Sequence, residues 1–333
     1  MLIDIAALCE KPYRAKQLFA WVYKRGVEGF DAMTDISIAF RERLKDLYCI
    51  KGLKVLDVRT SIDGTRKFLS ELDDSNRIES VIIAEGSRLT LCVSTQAGCA
   101  LGCRFCMTGA GGFMRNLTLG ELTGQVFSAK AMLEPDERLT NVVLMGMGEP
   151  LANYDNVVKF TGILIDGQGF GLSHNKVTVS TAGLVPAMER FMEESNCSLA
   201  VSLNATTDEV RDRLMPINRK YPIDEVITAL RAFKGAGKRH VTIEYVVLRD
   251  VNDSADDAHR LAQLLRGVPC KINLIPFNEF PGAAFKSPDN QRVNAMSKLL
   301  QDHGYTVIVR ASKGQEIQAA CGQLRGWRDE AKA

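Results

Sequence analysis

The sequence has no apolar run approaching the ~18 residues a membrane span requires. Asp4 stands where a secretory leader would carry Lys or Arg, so no targeting segment is expected. Excess charge is missing too: 42 basic and 40 acidic residues leave a formal net charge of +2, which excludes a polybasic nucleic-acid coat and an acidic disordered tail. Histidine is scarce, and His174, His240, His259 and His303 have neither ligand nor triad spacing. The glycine run Gly109-Ala110-Gly111-Gly112-Phe113 lacks the G-x-G-x-x-G spacing of a dinucleotide loop. There is no fixed-period repeat, no low-complexity tract and no long linker. These absences leave a soluble, cytoplasmic protein of 333 residues, long enough for one large domain or two ordinary ones.

Cysteine is what the sequence does have, nine of them. An odd number in a chain of this length does not suit a disulfide framework, and a reducing compartment would not maintain one.

Residues 11–51 read as helical, with Leu18, Trp21 and Val22 on one face of an amphipathic helix. This stretch carries nine basic against five acidic residues, so the basic charge is concentrated there. Residues 53–85 alternate apolar and polar positions around Asp63-Gly64, a hairpin pattern. From residue 89, β-branched runs alternate with helical runs. Strands are expected at 89–93, 142–145, 176–180, 199–203, 241–247 and 271–275; a further helix and strand close the chain. Thr118-Leu119-Gly120-Glu121 is a capping box. Strand–helix alternation implies a parallel sheet covered by helices, and six units fall short of a closed eightfold barrel. The fold class is therefore α/β, a partial (β/α)6 barrel. The expected division is an N-terminal helical unit over 1–52, a hairpin connection over 53–88, the barrel over 89–285 and a C-terminal extension over 286–333. Functional residues belong at the C-terminal strand ends.

After the first barrel strand comes Cys99-Ala100-Leu101-Gly102-Cys103-Arg104-Phe105-Cys106. Three thiols this close, with Gly98 and Gly102 permitting a tight loop, can converge on one metal centre. Structural zinc wants four ligands, commonly as two Cys-x-x-Cys pairs, and no second pair exists. A [4Fe–4S] cluster normally takes four thiolates, so three leave one iron open to hold a substrate or cofactor. Reactive surface thiols are the plain alternative.

Cys-x3-Cys-x2-Cys at the end of a first barrel strand resembles the radical S-adenosylmethionine (SAM) superfamily. Three longer stretches narrow this: Leu91 to Cys99, Met145-Gly146-Met147-Gly148-Glu149-Pro150, and Ala319-Ala320-Cys321-Gly322-Gln323-Leu324. Together they resemble the RlmN/Cfr family of radical SAM RNA adenine methyltransferases, over about Lys11 to Leu324. The resemblance implies a [4Fe–4S] cluster on Cys99, Cys103 and Cys106, with SAM on its open iron. It implies that Cys321 carries a methyl group from one SAM and that a radical from a second SAM removes hydrogen from that methyl. The carbon so activated adds to an adenine, giving a transient protein–RNA adduct. Cys92 matches the cysteine that takes the ring proton and forms a disulfide with Cys321, and Glu79 matches a proton acceptor. An exposed strand glutamate is the ordinary reading of Glu79. Gly148, Glu149, Ser180, Ser202, Leu203, Asn204 and Asn278 match SAM contacts. Cys9, Cys49, Cys197 and Cys270 match no motif.

The resemblance implies action on C2 of an adenine in 23S rRNA and, in some relatives, of the adenine beside the tRNA anticodon. Alternatives are methylation at C8, as in Cfr, or a non-catalytic iron–sulfur protein that binds RNA. Local basicity over 11–51 and 219–240 suits an RNA partner. The other expected partner is an electron donor such as flavodoxin or ferredoxin, with no membrane association and a monomeric chain. Lys313 and Glu316 stand where the family has Arg and Asp, and Lys cannot reproduce a bidentate Arg contact.

Overall fold

A computed structural model describes residues 11–233 and 241–326. Cys9, His240 and the 234–240 part of the second basic stretch lie outside the described residues. Helix α1 (Pro12–Tyr23) starts with proline at its first turn, where the missing N–H costs nothing, and buries Leu18, Phe19, Val22 and Tyr23. Helix α2 (Ile38–Leu47) follows. Tyr23 docks this unit on the barrel: its ring stacks on Phe127 at 6.1 Å between centroids and meets Phe170 edge-on at 5.5 Å.

The expected hairpin is the first part of a longer meander. Strands β1 (Lys54–Thr60), β2 (Arg66–Glu71), β3 (Arg77–Glu85) and β4 (Arg88–Cys92) pair antiparallel in succession. Gly64 makes the first turn with φ +81°, a conformation that costs other residues strain. The chain then forms a small antiparallel pair, β5 (Gln96–Gly98) and β6 (Phe113–Asn116), with helix α3 (Met107–Ala110) between them. Runs of three or four mixed residues carry no period, which is why the sequence does not announce this pair.

Helix α4 (Leu119–Ala131) has the expected capping box, Thr118 and Glu121 each accepting the other's backbone N–H. The alternating part runs β7 (Asn141–Leu144), α5 (Tyr154–Ile165), β8 (Val177–Thr181), α6 (Val185–Glu194), β9 (Ser198–Ser202), α7 (Asp208–Leu214), α8 (Ile223–Ala232), β10 (Val241–Val247), α9 (Ala255–Leu264), β11 (Cys270–Pro276), α10 (Asn290–Asp302) and β12 (Thr306–Val309). One ten-stranded sheet has the order β1-β2-β3-β4-β7-β8-β9-β10-β11-β12. From β4 onward all pairings in this sheet are parallel, so the expected closing strand, β12, joins the six barrel strands as a seventh. Among the described residues, no helix is long and apolar enough to cross a membrane.

Strand alternation divides the work of each residue. Val179, Val201, Ile243 and Tyr245 are buried in the main hydrophobic core. Their neighbours Ser180, Ser202 and Glu244 line a cavity instead. That one cavity is lined from β7 round to β11, so the open sheet curls about it as a partial barrel.

Candidate active site

Cys92 ends β4, and the chain bends through β5 into the cysteine loop. Gly98 cannot be replaced there: its φ is +77°, and a Cβ would lie 2.0 Å from the Gly112 carbonyl oxygen. The loop is tied down by Cys99 N–H to Gly112 O (2.8 Å), Cys106 N–H to Cys103 O (3.2 Å) and Arg104 N–H to Leu214 O (3.0 Å). Cys99, Cys103 and Cys106 all line a cavity of about 170 Å³. Burial pushes the Cys99 thiol up to about 11. Burial, with the Cys106 and Cys99 thiolates beside it, pushes Cys103 up as well. Three thiolates in so dry a place repel one another, and a cationic centre would remove that cost. Among the described residues, no three Cys, His, Asp or Glu side chains converge as a single-ion site. Zinc needs its donors gathered on one point, whereas a four-iron cube presents separate irons to separate thiolates. Three thiolates are one short of the four that structural zinc takes and suit a cluster with one iron left open.

The opposite wall is the Gly146–Glu149 turn. Gly148 has φ +102°, and a Cβ there would stand 2.5 Å from that of Gln96. Glu149 is buried, and its carboxylate accepts N–H bonds from Ala182 (2.8 Å) and Leu151 (3.1 Å). Burial outweighs these bonds and raises it to about 7. Ser180, Ser202, Asn204 and Asn278 line the same cavity. Leu203 is fully buried and works through its backbone, donating to Glu244 O and accepting from Arg211. Asn204, with φ +57°, accepts the Val246 N–H through Oδ1 at 2.8 Å.

Cys321 reaches this cavity on a C-terminal strap. Met107 N–H donates to Gly322 O (2.8 Å), Thr108 Oγ1 to Leu324 O, and Asn278 Nδ2 to Cys321 O (3.3 Å). Cys321 lines the cavity and is itself exposed; desolvation raises its thiol, with the Arg310 guanidinium opposing. Cys92 does not line the cavity. It is buried and pushed up to about 12 by burial and by the Cys321 thiolate beside it.

Glu79 is not the exposed strand residue of the ordinary reading. It is 1% exposed, pairs with Lys67 at 2.8 Å, and accepts the N–H groups of Arg325 (2.8 Å) and Gly326 (3.1 Å). In this arrangement it anchors the strap. Glu316, one of the two departures, accepts from Ser61 Oγ and from Ile62 N–H (3.0 Å) on the β1–β2 turn. His259 and His303, far apart in sequence, share a hydrogen bond of 3.1 Å at the surface.

Three residues that sequence patterns did not single out belong here. Arg211, 0% exposed, spends all five N–H groups: on the carbonyls of Leu203, Ala182, Ser202 and Tyr221 and on Asn218 Oδ1. Arg310 faces Cys321, Glu244 and Cys92, whose negative charge raises its guanidinium against burial. Glu244 lines the cavity in register with Ser202, with Oε1 held by Asn273 at 2.9 Å. An acid at an inward position of an otherwise apolar strand was the available signal for Glu244.

A family model described as the Radical SAM superfamily matches residues 93–262, and one described as the Ribosomal RNA large subunit methyltransferase N-terminal domain matches 5–50. Over 314 residues the chain is 52% identical to the dual-specificity RNA methyltransferase RlmN of Desulfosudis oleivorans, covering 94% of this chain and 85% of that one. The chain belongs to the RlmN family. It is also 49% identical to the Geotalea uraniireducens protein of the same name, covering 98% and 94% of the two chains. A crystal structure of a radical SAM methyltransferase from Sphaerobacter thermophilus superposes with a TM-score of 0.90 at 42% identity, covering 98% of this chain and 96% of that one. The RlmN resemblance read from the three motifs and the α/β radical SAM fold are thus both shown.

Arg211→Met would leave four strand-end and loop carbonyls without their donor. It is expected to lower the unfolding free energy by about 3 kcal/mol or more. Denaturant unfolding measures this, and a loss under about 1 kcal/mol would show that the carbonyls find water instead.

Proposed function

We propose that the chain methylates C2 of an adenine in 23S rRNA, and of the adenine beside the anticodon in tRNA, through a methyl-cysteine on Cys321. The observation that carries this reading is the meeting of Cys321 with Cys99, Cys103 and Cys106 at one cavity, Cys92 lying behind it. Cys99, Cys103 and Cys106 would hold a [4Fe–4S] cluster. When bound, the cluster supplies the electron that cleaves SAM reductively, chemistry no side chain offers. An electron donor such as flavodoxin or ferredoxin would supply that electron.

Adenine C2 and the methyl of SAM are both electrophilic, so direct polar transfer fails. The Cys321 thiolate suits the first step, displacing S-adenosylhomocysteine and keeping the methyl as a thioether. Cys92 does not line the cavity, so it does not compete for that methyl. Once the activated methyl carbon is bonded to the adenine, the adduct's odd electron would return to the bound cluster, and Cys92, as the thiolate, would take the ring proton. Its sulfur then bonds to the Cys321 sulfur as the sulfur–carbon bond breaks with its electron pair on carbon, the proton from Cys92 completes the methyl group, and an external two-electron reductant restores both thiols. Glu149 and the turn carbonyls would hold the SAM ammonium; Ser180, Ser202, Asn204 and Asn278 would hold the rest, with Leu203 setting the strand end. Glu79 would keep the strap seated with Cys321 inside. The accessory helices are the expected RNA side. The cytoplasm, where RNA and reductant coexist, suits this work, and a monomer suffices because all these groups come from one chain.

Methyl-deuterated SAM with an rRNA fragment and with tRNA, followed by nucleoside mass spectrometry, tests the reading. Label on adenine C2 is expected in both RNAs; label on C8 would replace the reading with the Cfr-type one. Cys92→Ala is expected to accumulate a covalent RNA–protein adduct through Cys321, and RNA released at the normal rate would refute the role of Cys92. Glu149 sits near pH 7 in the free protein, and an ammonium partner favours its carboxylate. S-adenosylhomocysteine binding at pH 6.5 is therefore expected to release a proton, and affinity is expected to rise with pH and level off above about 7. Calorimetry in buffers of different ionisation enthalpy reads this, and Glu149→Gln should abolish it.

A further inference from the structure

The parallel part of the sheet runs from β4 to β12. Cys92 ends the first of these strands, and Arg310 follows directly on the last. Arg310 N–H donates to Leu274 O (2.9 Å), one step past the Leu274–Val309 pair, which sets Arg310 beside Ile275. Ile275 lines the cysteine cavity with Val246 and Glu244, so strand alternation turns Arg310 to that inner face as well. There its charge acts on Cys321, Glu244 and Cys92. The curl of the sheet thus brings its last strand to bear on the sulfur that ends its first.

This guanidinium also differs from the other buried one. Arg211 uses all five of its N–H groups. Among the described residues, the Arg310 guanidinium makes no hydrogen bond and no ion pair. Glu244, across β11 from it, keeps Oε1 on Asn273 and leaves Oε2 without a hydrogen-bond partner. A partly buried arginine that only braced the fold would be bonded to it. What Arg310 brings to this face is charge.

We propose that Arg310 is a positioning residue for the proton-transfer step: its guanidinium is the counter-charge that lets Cys92 act as a thiolate, and methylation of Cys321 passes that charge from one sulfur to the other. This rests on the methyl-cysteine reading above and adds what makes Cys92 a base. Burial, first, and the Cys321 thiolate, second, push Cys92 up to about 12, where little thiolate forms near neutral pH. Arg310 and a backbone hydrogen bond with Met145 oppose them. Among the described residues, Cys321 and Arg310 are the charged groups that act on Cys92, and Cys321 is in turn the strongest influence on Arg310. Once Cys321 carries a methyl it is a neutral thioether. The negative charge that raised Cys92 is then gone, and the guanidinium is left with Cys92 and Glu244. The Cys92 proton leaves to bulk water. The thiolate then takes the ring proton of the adduct and becomes a thiol again. Proton removal is thereby tied to a loaded Cys321.

The test uses the full-length reconstituted protein, loaded with methyl on Cys321 as checked by intact mass, and an RNA hairpin carrying the target adenine. Arg310→Met is expected to accumulate the covalent RNA–protein adduct, as Cys92→Ala does. Its release at pH 7 should be about tenfold slower than in wild type or worse, because losing a nearby opposite charge moves a pKa by about 1–3. Release should recover as pH rises, since hydroxide then forms the thiolate that Arg310 no longer favours; Cys92→Ala should show no recovery. Arg310→Lys keeps the charge and should restore most of the rate. Deuterium at adenine C2 should slow release more in Arg310→Met than in wild type, which ties the defect to the proton step. S-adenosylhomocysteine affinity and iron content, read without RNA, should match wild type. Release at the wild-type rate by Arg310→Met overturns the proposal. So does slow release that neither pH nor lysine corrects, which would make Arg310 a brace for the strap. A matching loss of S-adenosylhomocysteine affinity also overturns it, and would place Arg310 on the carboxylate of that ligand. A wild-type protein that gains no methyl on Cys321, or forms no adduct with the hairpin, would overturn the methyl-cysteine reading itself, before any variant is compared.

Discussion

Three thiols facing one dry cavity cannot all ionise unless something positive joins them, and the surrounding structure is arranged around that constraint. Burial and mutual repulsion raise Cys99 and Cys103, and the bare turns at Gly98 and Gly102 hold the loop regardless. Positive charge is close at hand but fully occupied. The guanidinium of Arg211 is spent on strand-end carbonyls, and burial lowers it to about 10 while the Cys103 thiolate opposes. The same side chain ties β8 and β9 to the helix that receives the cysteine loop through Arg104 and Leu214. The cysteine loop and the strand ends that line its cavity thus share one fastening.

The second requirement is to bring a residue near the end of the chain to that cavity. Ring and strand geometry do not do this; the antiparallel meander does. Lys67 on β2 reaches both Glu79 on β3 (2.8 Å) and the Gln318 carbonyl (3.1 Å) on the strap. Asp63 in the first turn accepts the Gly314 N–H at 3.1 Å, and Glu316 returns to Ser61 and Ile62. A segment that reads as a connection between units is also the mooring for Cys321. The Glu316 departure is accommodated here, in contacts to the turn; nothing in the structure explains Lys313.

Much of this was legible in the sequence because it depends on local order. Strand–helix alternation, the capping box at Thr118 and the cysteine spacing are short-range patterns, and such patterns survive without tertiary context. The three motif stretches were equally local, and they carried the RlmN resemblance. The sequence also placed Ser180, Ser202, Asn204 and Asn278 at strand ends, where a parallel sheet puts its ligands.

Only the tertiary structure decided which residues meet. Glu79 reads as an exposed strand acid until the strap covers it; its burial is set by residues more than two hundred positions away. Arg211 looks like any surface helix arginine until five acceptors from four segments surround it. The placing of Glu244 and Arg310 follows from the curl of the sheet, which no window of sequence contains. By itself, then, the sequence determined the elements, the cysteine set and the family. Folding decided the partners, because burial and long-range hydrogen bonding are properties of the curled sheet with its strap and not of any one stretch.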